Sequence, residues 1–264
     1  MHINGKILER DLKIGIISIF VLLLILHLLD IRQNTETVLD VVHEPYVAQV
    51  LVSVPPNVKK ISCPSPFGED DIYKIVSKEE SLGEYFVPED LELVSNDISR
   101  NANICLKSIA LDNLERMFLD ASLAGYELEV TSAFRSYSYQ GFLFNMYFAR
   151  DGEDARRYSA EPGHSEHQLG TTVDITAKGL PSTYHFFHTT EEGKWVLDHA
   201  HEYGFVMSYP EGGEDVTGYM FEPWHYRYVG VDIAKSVYES NTTLYEYLFE
   251  KKEIIDPEIV VDNF

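Results

Sequence analysis

Four side chains that can bind a metal ion or move protons fall within two short segments in the second half of the chain. His167 and Asp174 lie in PGHSEHQLGTTVDI, and Glu222 and His225 lie in EPWHYRYVG. Zinc takes nitrogen and oxygen ligands in a tetrahedral shell, and a catalytic site keeps one position open for water. Two histidines and one carboxylate supply three ligands and leave that position free, so the segments indicate a candidate metal site.

Each of these residues also has an ordinary structural interpretation. A histidine beside aromatic residues, such as His225 next to Trp224, is often part of a core, and Asp174 alone could cap a turn. His164 and His167, three residues apart, would share the surface face of a helix. Spacing alone therefore leaves both the metal site and the structural roles open.

If these residues bind a metal, two functions other than zinc catalysis are also possible. Two histidines and a carboxylate also form the facial triad of non-haem iron oxygenases, although those commonly present their first two ligands as H-x-D. A zinc domain that has lost catalysis would keep the ligands, but it has no need for a free carboxylate such as Glu222 three residues from a ligand. Glu222 therefore favours catalysis.

The residues between His167 and Asp174 predict a bend followed by a strand. Gly170 permits a sharp turn, so that a loop can present His167 while a strand presents Asp174. Val173 and Ile175 flank Asp174, and in a strand they would point to the opposite, core face. A carboxylate that faces away from the core needs water, a partner or a metal.

Other elements follow from apolar periodicity and capping residues. Leu111, Leu114, Phe118 and Ala121 would share the buried face of one helix. Helices are predicted from Ser108 to Gly125, from Ser138 to Gly152 and from Thr190 to Gly204, and strands at Leu128–Ser132, Phe205–Tyr209 and Tyr219–Tyr228. Helices packed on a small antiparallel sheet, an α+β fold, fit this order better than alternating βαβ units.

A third segment, SAFRSYSYQ at residues 132–140, completes a family signature. In chain order the three segments match S-x-x-R-S-x-x-x-Q, P-G-x-S-x-H-x-x-G-x-x-x-D and E-P-W-H. Together they resemble the D-alanyl-D-alanine carboxypeptidases that include the VanY enzymes and the related L,D-carboxypeptidases. The similarity extends from YFVPEDLELV, residues 85–94, to Gly230, which is more than half of the chain.

The resemblance implies a zinc ion bound by His167, Asp174 and His225. Glu222 would be the general base that takes a proton from the attacking water and passes it to the leaving amine. Arg135 would stabilise the developing oxyanion or hold the terminal carboxylate of the substrate, because its planar fork of donors suits a carboxylate. The implied fold is that of the Hedgehog and D,D-peptidase group.

The implied substrate is a peptidoglycan stem peptide that ends in D-alanine. Ser132, Gln140 and Ser165 match positions that line the substrate site. The motifs cover both D,D- and L,D-cleavage, and we expect D,D, with a peptidoglycan endopeptidase as a further alternative. Phe134, Thr172 and Ser208 stand where the family often has Tyr, Ala and Arg. None of these differences removes a ligand or the base, but Ser208 puts the substrate preference in doubt.

An apolar run from Ile14 to Ile31 predicts a membrane anchor, because about 20 apolar residues cross a bilayer as a helix. A cleaved signal peptide is the rival interpretation, but its apolar region is shorter and no small-residue cleavage site follows this run. Lys6, Arg10 and Lys13 precede the run, which places the N-terminus in the cytoplasm and the remainder outside.

The predicted organisation follows from this anchor and from four prolines between residues 55 and 66. In order, we expect a cytoplasmic N-terminus at 1–12, an anchor at 13–32, an extracytoplasmic stalk at 33–71, a zinc carboxypeptidase domain at 72–250 and a tail at 251–264. The net charge of −22 argues against nucleic acid as a partner, and no protein partner is indicated. Cys63 and Cys105 could form a disulfide outside the cell, and the sequence leaves this open.

Overall fold

The computed structural model describes residues 63–65, 68 and 71–255, with side chains as far as residue 251. The predicted cytoplasmic N-terminus, the anchor, most of the stalk and the end of the tail lie outside this part. Within the described residues, none of the helices has both the length and the apolar character needed to cross a membrane.

The described part contains two antiparallel sheets and six helices, so the predicted α+β class is confirmed. The strands are β1 (Leu91–Leu93), β2 (Cys105–Lys107), β3 (Leu128–Ser132), β4 (Thr172–Ala177), β5 (Phe205–Met207) and β6 (His225–Tyr228). The helices are α1 (Ser108–Leu123), α2 (Tyr137–Asp151), α3 (Glu191–His199), α4 (Glu214–Thr217), α5 (Val231–Ser240) and α6 (Leu244–Ile255). Strands β1 and β2 pair with each other, and the larger sheet has the order β3-β4-β6-β5.

Helix α1 packs against the core face of the larger sheet. Leu111, Leu114, Phe118 and Ala121 are buried, as their spacing predicts, in one cluster with Val173 and Ile175 of β4. Burying a leucine-sized side chain contributes about 1.5–3 kcal/mol, so this stripe is a main source of the stability of the domain. Strand β4 therefore has one apolar face in this cluster and one polar face on the other side.

The first two predicted helices end within two residues of the prediction, whereas α3 ends at His199 and the 3₁₀ turn Ala200–Tyr203 continues to Gly204. Two predicted capping residues were also wrong. Ser108 is the first residue of α1 and not its cap. Ser136, rather than Ser138, caps α2, since its side chain accepts a hydrogen bond from the backbone N–H of Tyr139 at 3.2 Å. Thr190 caps α3 as predicted, by accepting from the N–H of Gly193 at 3.0 Å.

The two predicted C-terminal strands are shorter than expected. Strand β5 ends at Met207, and β6 contains only His225–Tyr228 of the strand predicted over Tyr219–Tyr228. The residues before β6 form a turn in which the His225 N–H donates to the Glu222 carbonyl at 3.1 Å. Helices α5 and α6 follow β6 and were not predicted.

A disulfide joins Cys63 to Cys105 of β2 and closes a loop of 42 residues. Cys63 belongs to the predicted stalk, so the covalent structure ties the end of that segment to the domain. Strand β2 also braces two loops: the Phe134 N–H donates to the Cys105 carbonyl, and the Lys107 N–H donates to the Gly170 carbonyl, both at 2.8 Å.

We predict that replacing Cys63 and Cys105 together by serine lowers the free energy of unfolding by about 2–4 kcal/mol, because a cross-link over a loop of this length restricts the unfolded chain. Urea unfolding of the full chain in detergent, followed by tryptophan fluorescence, measures the difference. The wild-type chain in a strong reductant should unfold like the double variant. Equal stability of the wild type with and without reductant would contradict the prediction.

Candidate metal centre

A cleft of about 410 Å³ opens on the polar side of the larger sheet. Seven of the eight predicted site residues line it, namely Arg135, Gln140, Ser165, His167, Asp174, Glu222 and His225. The eighth, Ser132, reaches the cleft through Arg135, whose Nη1 donates to the Ser132 Oγ at 3.3 Å. The three segments that are far apart in the sequence therefore meet at one site.

Strand register places the central residues of the site side by side. Ser132 of β3 pairs with Asp174 of β4, and Asp174 pairs with His225 of β6. Paired residues in neighbouring strands project from the same face of a sheet, so Asp174 and His225 converge on the cleft. A shift in register just before Ser132 lets β3 reach this alignment.

A tight turn brings His167 to the end of β4. His167 lies in the 3₁₀ turn Glu166–Leu169, and Gly170 follows with a left-handed φ of 70°. A Cβ atom at Gly170 would come within 2.8 Å of Pro88 and 2.9 Å of Leu91. Any side chain would therefore strain the backbone and also collide with the Pro88 and Leu91 side chains, so the predicted bend has two reasons to contain glycine.

Three ligand atoms converge at the base of the cleft. The Oδ1 atom of Asp174 lies 3.3 Å from His167 Nε2 and 3.6 Å from His225 Nδ1, and the three atoms lie within 4.8 Å of one another. All three residues are buried, and the His167 and Asp174 atoms make no hydrogen bond within the described part of the chain. Buried polar atoms without partners are costly, so this set fits a bound cation.

The other nitrogen of each imidazole ring has a hydrogen-bond partner. His167 Nδ1 lies 2.6 Å from the Ala133 carbonyl oxygen, which can only accept, so this nitrogen carries the proton. His225 Nε2 lies 2.9 Å from a Glu166 carboxylate oxygen. Each histidine therefore offers its remaining nitrogen to the position beside Asp174.

The pKa values of Asp174 and His167 are both lowered, for different physical reasons. Burial alone would raise the pKa of Asp174, but His167 and Arg135 outweigh it and hold that pKa at about 2. Burial, together with Arg135, lowers the pKa of His167 to about 4, so its ring is neutral at pH 7. An ionised carboxylate beside a neutral imidazole is the state in which both bind a metal.

Glu222 lies beside the three ligand atoms but is not one of the candidate metal ligands. Its Oε2 is 3.5 Å from His225 Nδ1, and the side chain is almost fully buried in the turn before β6. Burial raises the pKa of Glu222 to about 8, and the nearby Asp174 adds to this rise while His225 opposes it. A carboxyl with a pKa close to neutral can both accept and release a proton.

Arg135 and Gln140 provide donors and acceptors at the wall of the cleft. Arg135 Nη2 donates to the Ser165 Oγ at 3.4 Å, and Nη1 lies 3.7 Å from Asp174 Oδ2. Gln140 Nε2 donates to the Ala160 carbonyl at 2.7 Å, whereas its buried Oε1 has no partner among the described residues. These groups could hold polar atoms of a bound ligand.

Sequence reasoning missed Glu166 and Arg227, which the structure buries behind His225. Arg227 Nη1 donates to Glu166 Oε1 at 2.9 Å. Two signals were present: Glu166 lies between the two motif histidines, and Arg227 follows His225 by two residues and so projects from the same face of β6.

Two of the alternative structural interpretations were wrong. His164 and His167 are not a surface pair, because His167 is fully buried and the His164 ring lies 2.8 Å from the Ser77 carbonyl. Asp174 is not a capping residue, because it lies inside β4 with hydrogen-bonded neighbours on both sides.

Residues 103–231 match the family described as VanY, D-alanyl-D-alanine carboxypeptidase. The chain is 38% identical over 190 residues to the putative carboxypeptidase YodJ of Bacillus subtilis, covering 70% of each chain. It is 41% identical over 99 residues to a D-alanyl-D-alanine carboxypeptidase of Enterococcus faecalis, covering 38% of this chain and 35% of that protein.

Solved structures show the same fold. The L,D-carboxypeptidase LdcB is 40% identical with a TM-score of 0.62, over 67% of this chain and 84% of LdcB. A zinc-bound variant of the vancomycin-resistance D,D-pentapeptidase VanY is 30% identical with a TM-score of 0.57, over 67% of this chain and 98% of that one.

We predict that His167→Ala lowers the affinity for zinc by more than about 100-fold, because it removes one of the three ligand atoms. Loss of a side chain that only hydrogen-bonds to a metal ligand typically costs about 10–100-fold. Competition with a chromophoric chelator measures the affinity. His164→Ala is the matched control from the same segment and should bind zinc like the wild type. Equal affinity of the two variants would remove His167 from the ligand set.

Proposed function

This chain belongs to the VanY family of D-alanyl-D-alanine carboxypeptidases, and we propose that it is a zinc-dependent carboxypeptidase that removes the terminal D-alanine from peptidoglycan stem peptides. One observation carries the proposal: three buried ligand atoms converge beside a buried carboxylate at the base of an open cleft. A purely structural zinc site has four protein ligands and no cleft above it.

His167, Asp174 and His225 would hold the zinc ion. The zinc in the VanY relative and the unpartnered ligand atoms of this chain support that assignment. Zinc held there would lower the pKa of water from about 15.7 towards 7 and polarise the scissile carbonyl.

Glu222 would act as the general base and then as the general acid. Its carboxylate borders the ligand atoms on the side of the cleft, so it can take a proton from the attacking water and deliver it to the leaving amine. The surrounding turn fixes its position, because the Glu222 N–H donates to the Tyr209 carbonyl at 3.1 Å and the Glu222 carbonyl accepts from His225.

Arg135 would bind the terminal carboxylate of the peptide or the developing oxyanion, and Ser132 and Ser165 would orient it. Both hydroxyls accept from its guanidinium, and its backbone N–H donates to the His167 carbonyl at 3.2 Å. Gln140 would bind a polar group of the substrate through its free Oε1. A planar guanidinium that is fixed in this way can bind a carboxylate through two parallel hydrogen bonds.

We predict that Glu222→Gln keeps zinc bound and lowers kcat by about 10²–10⁴-fold, because the amide has the same shape but cannot accept the proton. Product formation from a stem peptide and zinc content are measured on the same preparation. Glu214→Gln, an exposed carboxylate paired with Arg157, serves as the control and should keep full activity. Unchanged turnover in the Glu222 variant would exclude Glu222 as the base.

The bond that is cleaved distinguishes two candidate activities. D,D-cleavage shortens a pentapeptide to a tetrapeptide, and the 30% identity to the D,D-pentapeptidase VanY supports it. L,D-cleavage shortens a tetrapeptide to a tripeptide, and the 40% identity to the L,D-carboxypeptidase LdcB supports it more strongly. The 41% identity to the D-alanyl-D-alanine carboxypeptidase of Enterococcus faecalis covers only 38% of this chain. Over 67% of the chain the identity is higher to the L,D enzyme than to the D,D enzyme, and this favours L,D-cleavage over our expectation from the motifs.

We predict that the zinc-loaded full chain releases one alanine from a synthetic stem tetrapeptide faster than from the pentapeptide, as judged by kcat/KM from product masses. Faster cleavage of the pentapeptide would assign the D,D activity instead. Release of a larger fragment from cross-linked peptides would indicate an endopeptidase. Zinc binding without cleavage of any of these peptides would contradict the proposed enzymatic function and favour a binding domain.

We also propose that residues 13–32 anchor the enzyme in the cytoplasmic membrane with its domain outside, where stem peptides are exposed. The apolar run and the preceding basic residues support this topology. The full chain should resist extraction by salt and dissolve only with detergent, whereas a version that lacks residues 1–32 should be soluble. Release of the full chain by salt alone would contradict the anchor.

A further inference from the structure

We propose that Glu166 is a positioning residue that, held in place by Arg227, fixes the His225 ring so that Nδ1 is the nitrogen offered to the metal. This inference rests on the proposed function only in assuming that a metal occupies the site formed by His167, Asp174 and His225. It concerns the affinity for the metal and not the choice of substrate.

The Glu166 carboxylate lies between two donors. One oxygen is 2.9 Å from His225 Nε2, and the other accepts from Arg227 Nη1 at 2.9 Å. Glu166 is 5% exposed and Arg227 is 1% exposed, so water does not compete for these contacts. In such an environment each hydrogen bond strongly orients its partners.

Arg227 is itself fixed from the opposite side. Its Nη2 donates to the Ile72 carbonyl at 2.9 Å and to the Lys74 carbonyl at 2.7 Å. In the sheet, Arg227 pairs with Thr172, two residues before Asp174 on β4. The guanidinium is therefore held by hydrogen bonds on the side opposite Glu166, which orients Nη1 towards the carboxylate.

The chemistry of these partners determines which nitrogen of His225 carries the proton. An ionised carboxylate only accepts hydrogen bonds and a guanidinium only donates them. His225 must therefore donate to Glu166 from Nε2, which leaves the lone pair of Nδ1 facing Asp174 Oδ1 at 3.6 Å. Without this acceptor, the ring could carry its proton on Nδ1 and would lose the ligand atom.

Stability alone is a weak explanation for this arrangement. A buried ion pair such as Glu166 and Arg227 often contributes no more than apolar side chains of similar volume, because both charges lose their hydration. The other Glu166 oxygen contacts His225 Nε2, the ring nitrogen that faces away from the metal position. In other proteins a hydrogen bond to that nitrogen orients the histidines that bind a metal. That placement supports a positioning role.

Glu166→Gln tests this role because the amide has one acceptor and one donor group. Arg227 would attract the amide oxygen, so the NH₂ group would face His225 Nε2 and favour the proton on Nδ1. We expect the affinity of the full chain for zinc, measured by chelator competition, to fall by about 10–100-fold. Glu129→Gln, which removes another arginine-paired carboxylate of the same sheet, should leave the affinity unchanged.

A second measurement uses the wild-type chain and does not depend on whether Glu166→Gln folds. In the zinc-loaded wild-type chain with ¹⁵N-labelled histidine, NMR should show one ring with a metal-bound Nδ1 and a protonated Nε2. His225→Ala should remove that signal. Absence of such a ring, or equal zinc affinity in the wild type and a folded Glu166→Gln variant, would overturn the proposal.

These results are separable from the proposed function. A loss of zinc affinity in Glu166→Gln would support the positioning role even if the wild type cleaved no stem peptide. Full peptide cleavage by the wild type together with unchanged zinc affinity in Glu166→Gln would leave the carboxypeptidase proposal intact and exclude the positioning role.

Discussion

The pairing of Asp174 with His225 across β4 and β6 is the constraint on which the site depends. Side chains alternate between the two faces of a strand, so a slip of one residue would turn Asp174 into the core and expose Val173. The apolar side of β4 prevents that slip, because Val173 and Ile175 are fully buried in the cluster that includes α1. The hydrophobic core thus sets the register, and the register assembles the ligand atoms.

The site concentrates charge where burial would normally exclude it. Asp174, Glu166 and Glu222 are all buried carboxylates within one small region. Asp174 and Glu166 keep low pKa values because Arg135, Arg227 and the histidines outweigh the cost of burial, whereas the pKa of Glu222 is raised. The domain therefore separates two carboxylates that are fixed as anions from one that can exchange a proton.

Local patterns predicted the parts of the fold that depend on local physics. The stripe from Leu111 to Ala121 and the Thr190 cap identified α1 and α3, because helix periodicity and capping act within a few residues. The capping residue of α2 was missed because Ser136 and Ser138 are equally suitable by type, and only the path of the chain after β3 selects Ser136. The strand predicted over Tyr219–Tyr228 was too long at its start, because backbone hydrogen bonds fold the chain at Glu222 into a turn.

The candidate site could be predicted only where its residues form part of a recognisable motif. His167, Asp174, Glu222, His225 and Arg135 stand in such motifs, and the structure brings them together. Glu166 and Arg227 are 61 residues apart, and their contact exists only after β6 pairs with β4. The Cys63–Cys105 disulfide was left open for the same reason, since two cysteines alone do not specify a pairing.

The most direct test of the account is a crystal structure of the zinc-loaded full chain with anomalous diffraction recorded at the zinc absorption edge. We predict one anomalous peak about 2.0–2.2 Å from His167 Nε2, Asp174 Oδ1 and His225 Nδ1, with the Glu222 carboxylate nearby but not bound to the metal. A peak that lies elsewhere, or one in which Glu222 replaces any of the three ligands, would contradict the central claim.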